Sequence, residues 1–169
     1  PRFWTGSQTT TSWSTINAGP LTNWATNSAG TTNSTDVPNS THTVIFSATN
    51  APLTSGIIST TLDGVFTIDA LQFLAAPTGV TAVNIAAGSG GALTIAPATS
   101  SAGIYVDTNA GTATFAAGLP LTVGAAQTWN IVGGGTNGSA LVIAANVAFN
   151  SSVTKSGAGI LTLSGTNSG

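Results

Sequence analysis

From Thr43 onward the apolar residues fall in pairs two positions apart: Val44/Phe46, Phe66/Ile68, Leu71/Phe73, Val83/Ile85, Leu93/Ile95, Ile104/Val106, Ala113/Phe115, Leu121/Val123, Trp129/Ile131, Leu141/Ile143, Val147/Phe149 and Leu161/Leu163. That spacing is the period of a strand with one buried face. From Val83 the pairs recur mostly every six to twelve residues or so, with Gly, Asn, Asp or Pro between them, an all-β cadence. Nowhere do apolar residues fall at i, i+3, i+4 and i+7 between Lys and Glu, so helices are not expected. The intervening positions are largely Thr, which is β-branched and favours strands.

Residues 1–41 differ. They hold Trp4, Trp13 and Trp24 among Thr, Ser, Asn and Gly, with few aliphatic side chains. The chain therefore divides into a Trp-pinned N-terminal cap or connecting segment, 1–41, and a regular body, 42–169. Within the body a small-residue turn leads three times into Leu-x-Ile/Leu: GSGGALTI (Gly88 to Ile95), NGSALVI (Asn137 to Ile143) and GAGILTL (Gly157 to Leu163). Turn-plus-strand units of this kind suit a β-solenoid, in which each coil covers its neighbour's open face. At roughly 20 residues per coil the body would make about six coils. A β-sandwich has strands at the same spacing and stands as the alternative architecture.

Composition narrows the function classes. Of the 169 residues only 4% are charged: Asp36, Asp63, Asp69 and Asp107, with Arg2 and Lys155 as the cations and His42 as the single imidazole. An ordinary soluble domain carries about 25%. A net charge of −2 leaves no basic footprint for nucleic acid. No apolar run approaches the roughly 18 residues of a membrane helix, so membrane insertion is not expected. Hydrophobic residues still reach 41%, enough for a folded core. With no Cys there are neither disulfides nor thiolate metal sites, and with no Met the expectation is that Pro1 follows a removed leader or begins an excerpt of a longer chain.

The stretch KSGAGILTLSGTN resembles the autotransporter-associated β-strand repeat, through Lys155, Gly157, Gly159, Leu161, Leu163, Gly165 and Asn167. FWTG (Phe3 to Gly6), SWS (Ser12 to Ser14), Asn23-Trp24, DVP (Asp36 to Pro38), TVIFS (Thr43 to Ser47) and LTVGAAQTWNI are similar to segments of secreted bacterial proteins that carry those repeats. The resemblance implies a right-handed parallel β-helix, secreted and surface-associated, without catalytic residues, metal or cofactor. In the family the repeats continue past the Asn167 position, and no membrane barrel follows here, so self-export is not implied.

Other motifs carry less. GGGTNG (Gly133 to Gly138) matches the dinucleotide loop G-x-G-x-x-G, but the residues after it read as a strand and no acidic residue stands near the ribose position. Asp36 and His42 could be imagined as an acid–base pair or two metal ligands; a turn before Pro38 and a strand flank explain them as well. Asp63-Gly64 and Asp107 to Gly111 read as turns. A β-helix polysaccharide lyase would need carboxylates for metal and cations for substrate, and this chain has little to build them from. Asn33, Asn39, Asn137 and Asn150 open N-x-S/T triplets. Trp4, Trp13 and Trp24 read as packing residues, with contact to a glycan or a second subunit as the other use.

So few charges suit a surface covered by neighbours, and open solenoid ends are strand edges that template pairing. The expected function is a non-enzymatic, extracellular or cell-surface structural subunit that assembles with copies of itself into a fibre, filament or layer. The alternative is an adhesin or carbohydrate-binding stalk within a longer surface protein.

Overall fold

The computed structural model describes residues 1–51, 56–75, 80–99, 101–135 and 138–169, and among these there is no helix. The body is a parallel β-solenoid of about four turns. Each coil contributes one strand to each of three faces. The first coil supplies β5 (Thr43–Phe46), β6 (Gly56–Leu62) and β7 (Val65–Ile68); the second, β8 (Ala70–Phe73), β9 (Val80–Ala87) and β10 (Ala92–Ile95). The third supplies β11 (Ala102–Val106), β12 (Gly111–Phe115) and β13 (Pro120–Val123); the fourth, β14 (Gln127–Ile131), β15 (Ser139–Ile143) and β16 (Asn146–Phe149). The last holds β17 (Val153–Ser156), β18 (Ile160–Leu163) and β19 (Asn167–Ser168). Face 1 runs β5-β8-β11-β14-β17, face 2 β6-β9-β12-β15-β18 and face 3 β7-β10-β13-β16-β19. Only a coiled chain returns to the same face every third strand, which excludes the sandwich.

The apolar pairs are the inward positions of these strands. On face 2, Ile58, Val83, Ala113, Leu141 and Leu161 form one column in register, with Thr60, Ile85, Phe115, Ile143 and Leu163 beside it. Side chains stacked in register from coil to coil are the unit of stabilisation here. Phe46 lies flat on Phe73 with centroids 5.4 Å apart, and Phe73 meets Phe115 edge-on at 6.5 Å.

Two sequence expectations change. Coils are longer than about 20 residues: Leu71 pairs with Ile104, 33 positions on, and only the final step, Leu141 to Leu161, is 20. The chain therefore makes fewer coils than six, because about 20 residues is the low end of solenoid repeat lengths and most coils here are longer. The three turn-plus-strand phrases also do not share one face: Ala92–Ile95 lies on face 3, whereas Ser139–Ile143 and Ile160–Leu163 lie on face 2 and stack on each other.

Polar groups in the interior are matched. Gln127 stands at an inward position of β14; its amide donates to the carbonyls of Ile95 (3.0 Å) and Ala125 (3.2 Å) and its oxygen accepts from Trp129 Nε1 (3.1 Å). The amide fits because Gly103 lies beneath it at the bulge in β11; a Cβ there would be 1.8 Å from Gln127 Oε1.

Candidate functional site

The two ends of the solenoid are built differently. At the N-terminal end β1 (Arg2–Trp4) adds in parallel to β5, and β4 (Trp24–Ala25) adds antiparallel to β1, extending face 1 by two strands; β2 (Ile16–Asn17) and β3 (Leu21–Thr22) form a small separate ribbon. On face 2, Trp13 N–H donates to Thr61 O (2.9 Å) and Thr61 N–H to Thr11 O (2.8 Å). The three Trp side chains close the axis between these elements.

Trp4, Trp13 and Trp24 have relative exposures of 5%, 0% and 0%. Trp24 meets Trp4 and Trp13 edge-on at 5.0 and 5.1 Å, and Trp13 meets Phe66 edge-on at 5.5 Å. Their indole nitrogens are satisfied inside, Trp13 Nε1 by Thr60 Oγ1 and Trp24 Nε1 by Trp13 O, each at 3.0 Å. Trp13 and Trp24 are thus wholly enclosed by their own chain, and the packing reading describes them: large aromatic area plugs the end of the first coil. Trp4 alone touches a groove, of about 210 Å³, lined mainly by threonines.

Arg2, Asp36 and His42 lie at this sealed end. Arg2 Nε donates to Asp36 Oδ1 at 3.0 Å, its Nη2 makes a second, shorter bond to the same oxygen, and Ser34 Oγ donates to it at 2.7 Å. Burial pushes the Asp36 carboxyl up, but the Ser34 hydroxyl and the Arg2 guanidinium outweigh it and the group sits below its ordinary value. Burial, reinforced by Arg2 and opposed by Asp36, holds His42 low, and its Nδ1 accepts from the Asn39 N–H at 3.3 Å. The Asp36 carboxylate is thus committed to fixing β1 to the segment before β5. Among the described residues no three His, Asp or Glu groups come together as metal ligands.

The C-terminal end has no such plug. Strands β17, β18 and β19 are the last strands of their faces, so each presents an unpaired edge. Leu161 continues the column of Leu141 and Leu163 that of Ile143, so both point along the core axis as their repeat positions require. Leu141 and Ile143 are fully buried, whereas Leu161 is half-buried and Leu163 is 41% exposed. Gly157 takes φ +77° at the corner before them, and a Cβ there would meet Ile131 O at 2.1 Å. Gly159 and Gly165 likewise lie against backbone of the coil below, and Asn167 pairs with Val147.

One residue at this end, read in the sequence as a repeat position, also stands in the core column. Val44, Leu71, Ile104 and Trp129 make the axial column of face 1, and the next member is Lys155. Its ammonium turns to the Gly157 carbonyl. A further coil laid on this end would bury the cation unless it supplied an acceptor. Reading the alternation of Val153, Lys155 and Gly157 against Gln127, Trp129 and Ile131 would have found it.

The remaining motifs resolve as corners. Gly133 to Gly138 joins strand β14 to strand β15, with Thr136 and Asn137 outside the described residues; no helix follows to hold a pyrophosphate. Asp63-Gly64 turns the chain from β6 to β7. The Asp107 carboxylate accepts from the Thr108 N–H at 2.8 Å and the Asp107 carbonyl from the Ala110 N–H at 3.1 Å, which closes a turn there. Of the N-x-S/T triplets, Asn39 and Asn150 are exposed, Asn33 is engaged with the Pro20 and Ser34 carbonyls, and Asn137 lies outside the described residues.

The candidate site is therefore a surface, the open last coil, set opposite a sealed first one. No protein-family model, curated protein or solved structure matches the chain.

Proposed function

We propose that the protein is a non-catalytic structural subunit of the extracellular space or cell surface that assembles with copies of itself into a fibre, filament or layer. The observation that carries this reading is the parallel solenoid itself, in which coil covers coil, strand edge on strand edge, so that a copy of the chain can extend the same three faces. The charge deficit supports it, since little on the outer faces repels a neighbour. Lys155 gives the contact a requirement: the incoming surface must bring a carbonyl or carboxylate to the ammonium. The likeness of residues 155–167 to the autotransporter-associated repeat supports a secreted setting. Light scattering and electron microscopy of natively purified protein over a concentration series test the reading. Ordered polymer growing with concentration is expected; monodisperse 16.5 kDa particles at the highest concentration overturn it.

The same stacking supports a second reading, the first coils of a stalk within a longer surface protein, in which the covering layer is more of the same chain. A native chain mass well above 16.5 kDa favours the stalk.

A further inference from the structure

We infer that the unpaired edge of β7 is a strand-acceptor groove, and that its occupant is the stretch 165–169 of a second copy. This deepens the self-assembly reading and rests on it. In a parallel sheet the N–H and C=O of one residue point to one neighbour and those of the next residue to the other. Ala92 N–H donates to Gly64 O (3.1 Å) and Ala96 N–H to Ile68 O (2.9 Å), so Gly64, Phe66 and Ile68 face β10. Val65 and Thr67 turn their backbone groups the other way, toward the N-terminal end. Asp69, next in that series, gives its N–H to His42 O at 3.0 Å.

On the other two faces this same side is filled, by β1 under β5 and by residues 11–13 under β6. Under β7 there is instead a groove of about 360 Å³, with Pro38, Asn39 and Ser40 on one wall and Asp63 and Val65 on the other. Val65 is 77% exposed. Among the described residues the cap adds no strand to face 3.

The chemistry of the groove selects its occupant. Phe66 and Trp13 already fill the interior behind β7, so no large apolar anchor is required. The polar wall groups suit small neutral donors. Residues 165–169, Gly-Thr-Asn-Ser-Gly, have that character and lie at the opposite end of the same face. There β19 is held to β16 by two register pairs and is exposed throughout, so lending it to a neighbour costs little.

The absence of Cys makes a direct test simple. Thr67→Cys and Ser168→Cys proteins, carrying different mass labels, are mixed and air-oxidised at a concentration where light scattering reports association. Thr154→Cys, exposed on the open edge of face 1, replaces Ser168→Cys in the control. Groups seated side by side gain effective concentration, so the Thr67→Cys/Ser168→Cys disulfide should exceed the control by about tenfold or more. Adding Val65→Pro, which removes an N–H that β10 does not use, should cut that yield while circular dichroism and thermal unfolding stay unchanged. Equal cross-linking to Ser168→Cys and Thr154→Cys in associated protein overturns the groove assignment and leaves self-assembly standing. Absence of both association and cross-link overturns both.

Discussion

Leu141 and Leu161 are the same residue type in the same column on adjacent strands, yet one is fully buried and the other only half. Ile143 and Leu163 differ in the same way. At the opposite end the axis is closed by three Trp side chains that the chain folds back over its own first coil. The difference teaches that burial in a solenoid is conferred by the neighbouring coil. Stability is accordingly a sum of coil terms and interface terms, and among the described residues the first coil has an interface with its cap that the last coil does not share.

The sharpest way to break this comparison is to open the sealed end. Trp13→Ala removes the plug and leaves Thr60 without its indole partner; a loss of about 3–5 kcal/mol in urea unfolding is expected. A loss below about 1 kcal/mol would mean the plug is ornamental. Next, Leu141→Ala should cost about 2–5 kcal/mol by the cavity it leaves, while Leu161→Ala should cost less than about 1 kcal/mol in dilute protein. If both cost the same, the last coil is covered in solution.

A smaller effect on stability but a visible one on association is expected from Lys155→Leu. Removing a charge that points along the core axis of an open coil removes a device that guards strand edges, so light scattering should rise at equal concentration. Unchanged scattering would show that Lys155 does not restrain that surface.

The smallest effect is a pH dependence at the sealed end. His42 is depressed in the fold, so below about its ordinary value of 6.5 the unfolded chain takes up the proton first and stability declines as pH falls. Asp36 is depressed too, so its contribution is present above 3.8 and is lost as pH drops through its lower folded value. Thermal melts should therefore shift downward on acidification, and His42→Asn should flatten the higher-pH part alone. A melt that rises on acidification contradicts both assignments.

The twelve apolar pairs mark twelve strands of the body, because the inward column of a parallel coil must be apolar at every second residue. Strand β6 escaped the pattern because the buried Thr60 interrupts Ile58 and Leu62 with a hydroxyl that serves Trp13. Strands β17 and β19 escaped because the uncovered coil tolerates Lys155 and Asn167 where Trp129 and Val147 stand below. The role of the cap was half legible: aromatic weight was visible, but that Trp13 and Trp24 are wholly enclosed follows from bonds to Thr60 and to backbone that no spacing reveals. The groove beside β7 was invisible, since a missing strand leaves no mark in a sequence.

The cap also sets an order of events. Trp13 finds its partners only when Phe46, Thr60 and Phe66 have been made, some tens of residues later. During synthesis the N-terminal segment must therefore wait, uncommitted, until the first coil emerges to receive it. After that each new coil meets a finished template 20 to 33 residues behind it. Growth from a ribosome or through an export channel would then proceed as winding onto a plugged spool, with the latest coil always the one exposed.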